Sequence, residues 1–231
     1  MNKSISTPDV MRITAGISLI LMAVIAGISY GYILGKLYLP EAPAITIENL
    51  IREKRQFDGL IICSLFVIFL DLLVAWSFYF LLKTVNKPLT VLSTWLRLVY
   101  TVLLGCAVFP LLGVQLLISQ NNPDHELILF LLHQFMATWS FGLIIFGCHL
   151  ILLGVIFFQS ALPRGISLLT ILAGCCYVLI HFFSLAFPSF EIVKETTEQI
   201  LALPMAAGEL VPAIWLLTSK GRKVSISRPA S

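Results

Sequence analysis

Six side chains able to carry charge fall inside long apolar stretches of this 231-residue chain: Asp71, Arg97, His133, His149, His181 and Glu209. Carboxylate, guanidinium and imidazole groups can pair with one another, pass a proton or hold a polar solute. In hydrocarbon an isolated charge costs at least about 2.5 to 3.5 kcal/mol on insertion scales, so each of the six is a candidate site by its chemistry alone. Depth sorts them. At about 1.5 Å of rise per residue, Asp71, Arg97, His149 and Glu209 come from four different stretches yet share one level, roughly 13 to 18 Å from the same surface. Asp71 and Arg97 flank the short turn at residues 84–88, which predicts an ion pair between adjacent helices. Glu209 is a second carboxyl group, which either competes for the same guanidinium or stays protonated in the low dielectric.

Around Glu209 the sequence reads Ala-Leu-Pro-Met-Ala-Ala-Gly-Glu-Leu-Val-Pro. Pro204 and Pro212 cannot donate a backbone hydrogen bond, and Pro212 frees the carbonyl of Gly208 beside the carboxyl group. Discontinuous membrane helices hold cations or protons with such a pairing of free carbonyl and carboxylate. An ordinary bend is the plainer reading of the same prolines. Two readings of the whole layer stay open: a site for a solute, proton or ligand, or a network that fixes helix register.

His133 and His181 each lie about six residues from the far ends of neighbouring stretches, where two axial ligands would suit a b-type haem. The signal is weak, and a zinc set would need further ligands. Neither a metal site nor a resident cofactor is expected. The chain has no H-E-x-x-H, no G-x-S-x-G and no phosphate-cradling G-x-x-x-x-G-K, so no catalytic residue is assigned and an enzyme is not the expectation.

The elements that must position these groups are six apolar stretches, at about 13–34, 60–82, 89–118, 127–158, 166–187 and 200–217. Each meets or approaches the roughly 20 residues a spanning helix requires. A hydrophobic content of 58% against 12% charged residues excludes an ordinary soluble domain. The mean hydropathy of +0.96 agrees. The predicted fold is all-α: a polytopic transmembrane bundle of six spans, forming one integral membrane domain over residues 1–231. Its solvent is the lipid bilayer. The net charge of +3 lies mostly at the chain ends and leaves no nucleic-acid footprint. All five cysteines fall within the spans, where packing rather than a disulfide framework is expected.

Lys3, Arg12, Lys83, Lys87, Arg164, Lys220, Arg222, Lys223 and Arg228 fall on one side and Lys36, Arg52, Lys54, Arg55 and Lys194 on the other. The richer side predicts both termini in the cytoplasm. Between the first two spans, Ile45, Ile47, Leu50, Ile51 and Phe57 alternate with charged residues at helical spacing, which suggests a short interfacial helix or an extension of the second span. Gly27, Gly31 and Gly35 form two overlapping G-x-x-x-G units, which predicts close helix packing inside the molecule, with a homo-oligomer contact as the minor alternative.

Several strings together carry a resemblance: Met11-Arg12-Ile13-Thr14-Ala15-Gly16, Val85-Asn86-Lys87-Pro88-Leu89, Trp95-Leu96-Arg97-Leu98-Val99, Phe146-Gly147-Cys148-His149-Leu150, Leu162-Pro163-Arg164-Gly165, and Gly208-Glu209-Leu210 followed by Trp215-Leu216-Leu217. In their order and spacing they resemble domain-of-unknown-function family 4386 of bacterial multi-pass membrane proteins, over nearly the whole chain. The resemblance implies a bacterial cytoplasmic-membrane protein and places Arg97, His149 and Glu209 within family strings. It supplies no mechanism. The leading expectation is a small-solute or proton-linked binding or transport module, with Asp71, Arg97, His149 and Glu209 lining a polar cavity open to the cytoplasm. The alternatives are a sensor or assembly partner whose charges only lock helices, and a b-haem redox protein.

Overall fold

A computed structural model of the protein describes residues 7–187 and 191–219. Helix α1 (Thr7–Ala26) continues through a π-helical segment (Gly27–Leu34) and a final turn, α2 (Gly35–Leu37). A short α3 (Pro43–Arg52) precedes five long helices: α4 (Lys54–Leu82), α5 (Lys87–Leu117), α6 (His125–Gln159), α7 (Arg164–Ala186) and α8 (Glu191–Thr218). Among the described residues six helices are long and apolar enough to cross a membrane, and each contains one predicted stretch to within a residue or so. The protein is a multi-pass helical membrane protein. Its outer surface carries large apolar side chains such as Trp95, Phe109, Leu116 and Leu203, as a lipid-facing surface must.

The helices close into a ring. α4, α5, α6, α7 and α8 pack in chain order, and α1 completes the circle by packing against both α4 and α8. Short connections enforce this order, because a tight turn leaves antiparallel neighbours in contact. At the α4–α5 turn, the Asn86 carboxamide oxygen accepts from Leu89 N–H at 3.2 Å and starts α5. The same side chain donates to Gln159 at 2.9 Å, tying the start of α5 to the end of α6. Asp124 starts α6 in the same way, accepting from Leu127 N–H at 3.1 Å.

Two core clusters fill the ring. One, around Met11, Val74, Leu150 and Phe157, occupies the end that holds Thr7 and Thr218. The other, around Leu37, Leu50, Phe57 and Phe135, occupies the far end. The short helix between the first two spans exists: α3 breaks from α4 at Glu53 and lays Ile47 and Leu50 into the far-end cluster. Thr46 fixes its approach by pairing with both the N–H and the carbonyl of Leu39, at 2.9 and 3.0 Å.

The glycine expectation is corrected. A Cβ placed on Gly27, Gly31 or Gly35 would meet nothing within 4 Å, so no part of the described chain packs closely there. All three are exposed, and the π-helical segment replaces the α-helical register on which the G-x-x-x-G reading relied. Close packing occurs instead between α6 and α7. A Cβ on Gly147 would stand 2.7 Å from the Gly174 carbonyl oxygen, one on Gly174 would stand 2.6 Å from that of Gly147, and one on Gly154 would stand 2.9 Å from that of Ser167.

Of the basic residues that set the expected orientation, Lys3, Lys220, Arg222, Lys223 and Arg228 lie outside the described residues. Arg12 is no surface flank. It is 4% exposed and donates through Nη1 to the Leu216 carbonyl in the last turn of α8. A cation at a helix C-terminus satisfies a carbonyl that the helix itself leaves without a partner.

Replacing Gly147 or Gly174 by alanine is expected to lower stability by about 1 to 3 kcal/mol through overpacking of backbone on backbone. Gly31→Ala is expected to change it little. Thermal unfolding of the three purified variants in one detergent checks both.

Candidate functional site

On α5, Thr90, Ser93, Arg97 and Thr101 recur three or four residues apart and share one face directed into the ring, where all four are buried. Arg97, 1% exposed, donates through Nη2 to Asp71 of α4, which is fully buried. The expected ion pair is therefore present. Thr101 donates to the second Asp71 oxygen and also lies 2.8 Å from the Arg97 carbonyl. Arg97 Nη1 faces His149 Nε2 of α6 at 3.2 Å. A guanidinium can only donate, so this histidine nitrogen accepts and the ring proton sits on Nδ1. From there it reaches the Ser93 carbonyl at 2.9 Å, with the Ser93 hydroxyl at the same distance. The Phe146 ring lies 5.5 Å from the guanidinium carbon and adds a cation–π contact.

Glu209 stands apart from this network. It does not take Asp71's place on Arg97 and instead accepts a hydrogen bond from the Tyr177 hydroxyl of α7 at 3.0 Å. Yet Glu209 and Arg97 line one small cavity together with Leu19, Phe78, Leu150 and Leu153. Its volume is about 10 Å³, close to what a single water molecule needs. The polar cavity expected to open to the cytoplasm is thus corrected: apolar side chains from α1, α4 and α6 close in on the guanidinium and the carboxyl group. Among the described residues Arg97 Nε has no hydrogen-bond partner.

The proline expectation also changes. α8 runs unbroken from Glu191 to Thr218 through Pro204 and Pro212, so it is not a discontinuous helix. The Gly208 carbonyl accepts from the Thr170 hydroxyl of α7 at 3.1 Å. A cross-helix hydroxyl therefore occupies the position expected for a cation. Gly208 permits the contact by its size, since a Cβ there would overlap Ala173 at 2.2 Å.

His133 and His181 are not brought together. His133 is exposed and meets the edge of Tyr38, with ring centroids 6.1 Å apart. His181 is buried, and its Nδ1 lies 2.9 Å from the Ser140 hydroxyl of α6. Ser140 is seven residues along α6 from His133, about 10 Å of helix, so the two imidazoles lie at different depths and cannot be axial partners. Among the described residues no three His, Cys, Asp or Glu side chains cluster as metal ligands do.

Ser93, Thr101, Thr170 and Tyr177 were missed because uncharged hydroxyl groups do not stand out in apolar stretches. Their signal was helical spacing from a residue already singled out: Ser93 and Thr101 lie four residues either side of Arg97, and Tyr177 four before His181.

The sequence profile of the family described as "Domain of unknown function (DUF4386)" matches residues 14–219. The chain belongs to this family. It is also similar to an uncharacterised protein of the archaeon Archaeoglobus fulgidus, at 29% identity over 160 residues, 69% of this chain and 82% of that protein. No solved structure matches. Every member of the polar layer, Asp71, Arg97, His149 and Glu209, lies within the family match.

Asp71→Asn or Arg97→Gln alone strands a buried charge and is expected to cost about 3 to 5 kcal/mol. The double variant, with no charge left over, is expected to recover part of that loss. A double-mutant cycle from denaturant unfolding in mixed micelles measures the coupling.

Proposed function

We propose that the protein is a proton-linked membrane module in which Glu209 carries the proton and the Asp71–Arg97–His149 network is its fixed support. The observation that carries this reading is the unequal treatment of two carboxyl groups by one cation. Both terminal nitrogens of Arg97 are committed, one to Asp71 and one to His149. Glu209 shares a cavity with that guanidinium but takes its hydrogen bond from a phenol. Arginine keeps its charge at any physiological pH, so within this layer Glu209 is the group best placed to change state. The size of the cavity favours a proton over a larger solute in this conformation. A coupled solute would need the helices lining the cavity to part.

The fully enclosed Asp71–Arg97–His149 network favours the assembly reading for those three residues, as a lock on α4, α5 and α6. The two readings divide the layer between them. In the orientation that the Lys and Arg bias favours, both termini face the cytoplasm of a cell membrane.

Dicyclohexylcarbodiimide, a membrane-permeant reagent that adds to protonated carboxyl groups, tests the role of Glu209. In reconstituted protein the expected result is modification of the Glu209 peptide, read by mass spectrometry, that declines as pH rises and is absent in Glu209→Gln. In proteoliposomes with a pH-sensitive dye inside, Glu209→Gln is expected to abolish proton uptake that the wild type shows. Equal uptake by a correctly folded Glu209→Gln would leave the layer with a structural role alone.

A further inference from the structure

The charge of Arg97 is balanced by Asp71. An ionised Glu209 would therefore leave the layer with one negative charge too many, and hydrocarbon tolerates such a charge only with a counter-ion. The groups that face Glu209 are Tyr177 of α7, Arg97 and Tyr100 of α5 and, behind them, Asp71 of α4; α1 and α6 contribute leucine side chains. None supplies a second cation. Aromatic rings back the carboxyl group: Phe146 stands edge-on to Tyr177 with centroids 5.3 Å apart, and 4.7 Å from Tyr100. Aromatic faces attract organic cations.

Glu209 is also half-buried rather than enclosed, as is Tyr177, and it sits where the seam between α1 and α8 stops closing. On the Thr218 side of it, α8 meets α1 at Gly16, where a Cβ would stand 3.0 Å from the Ala213 carbonyl oxygen and 2.7 Å from the Leu217 side chain. Helical steps of four, three and four residues carry this face of α8 from Ala213 through Glu209 and Ala206 to Ala202, and the same steps carry α1 from Gly16 through Ile20 and Ala23 to Gly27. Ala202, Ala206 and Gly27 are all exposed, and the Cβ position of Gly27 has no described atom within 4 Å. Beyond Ala26 the π-helical segment packs against α4 instead. The far half of the seam thus leads from the lipid to Glu209. The carboxyl group lies roughly 13 Å below the surface at the Thr218 end, too deep for a phospholipid headgroup, so what arrives this way must dissolve in hydrocarbon.

Resting on the reading of Glu209 as the proton carrier, we propose that the seam admits a lipophilic organic cation, a protonated amine or a quaternary onium ion, from the bilayer to Glu209 in exchange for its proton. The carboxyl group holds either the proton or the cation. One proton leaves the protein for each singly charged cation bound, and the charge of the layer is unchanged. The approach is from the lipid side and leaves the water-sized cavity inside the ring as it is.

The test uses full-length protein in detergent, with tetraphenylphosphonium and dodecylamine as probes. In weakly buffered solution a pH-indicating dye is expected to report about one proton released per tetraphenylphosphonium bound, and the affinity is expected to fall as pH is lowered, because the proton competes. Glu209→Gln is expected to lose both binding and release. Ala206→Phe, which places a ring in the seam, and Ala202→Phe, one turn further out, are expected to weaken binding by at least about tenfold, whereas Leu203→Phe on the lipid-facing side leaves it unchanged. Thermal unfolding in the same detergent identifies the folded variants. Binding of both probes no greater than in Glu209→Gln, binding without proton release, or undiminished affinity in both alanine variants overturns this inference, and carbodiimide modification of Glu209 that still declines as pH rises then leaves it as the carrier. Modification that ignores pH overturns the proposed function itself.

Discussion

Arg97 is the constraint on which the rest of the structure depends. A permanent cation in the middle of an apolar ring needs a counter-charge and acceptors, and three helices are held at fixed heights to bring them to its two terminal nitrogens. Asp71 brings α4 to Nη2, and His149 brings α6 to Nη1. Ser93 and Thr101, one turn either side on the same helix, then fix the imidazole tautomer and the carboxylate orientation. The charge thereby sets the register of half the ring. It also explains why the surrounding volume is so small: once the ionic groups engage one another, apolar packing proceeds up to their edges and leaves a water-sized gap beside Glu209.

The second half of the ring is positioned by backbone proximity rather than charge. Gly147 and Gly174 let α6 and α7 touch through main-chain atoms, and Gly208 lets α8 seat against the Ala173 methyl group of α7. These contacts are short because no Cβ intervenes, which in a bilayer replaces the hydrophobic drive that lipid removes. The contacts of α7 with both neighbours put Thr170 on the Gly208 carbonyl and Tyr177 on Glu209. The carboxyl group thus takes its surroundings from two assembly principles, a charge clamp on one side and glycine contacts on the other.

Much of this was legible in the sequence, and what was not has a physical explanation. Span number, span limits and the shared depth of Asp71, Arg97 and His149 follow from counting residues at a fixed rise per turn, because a helix in lipid must satisfy its own backbone. The identity of the close-packed glycines did not follow. A four-residue repeat at Gly27, Gly31 and Gly35 has a stronger pattern than the wider spacing of Gly147, Gly154 and Gly174, yet which glycine meets a neighbour depends on how the helices cross. Arg12 was misread for a related reason. Its place near the chain start suggests a surface flank, whereas its partner is a carbonyl about 200 residues later. The freed carbonyl of Gly208 was correctly located from Pro212, but its partner came from another helix, where sequence separation carries no information.

What remains is how a proton on Glu209 could be felt elsewhere. α8 is held on the C-terminal side of the carboxyl group by Arg12 at Leu216 and immediately before it by Thr170 at Gly208. Within that clasped stretch a swing of the helix would break both bonds, so a change of charge cannot be relieved there by moving backbone. Before Gly208 the same helix turns Ile200 and Leu203 outward, 69% and 78% exposed, as a lipid-facing side does. Tyr177 hands its hydrogen bond to whichever form of the carboxyl group is present, and its ring rests on His181 in that same half of the ring. The clasp at Leu216 and Gly208 therefore fixes the helix that carries the carboxyl group, while beyond Tyr177 the far-end core takes over, with Tyr30 of the π-helical segment packed on Trp139 at 4.8 Å between ring centroids.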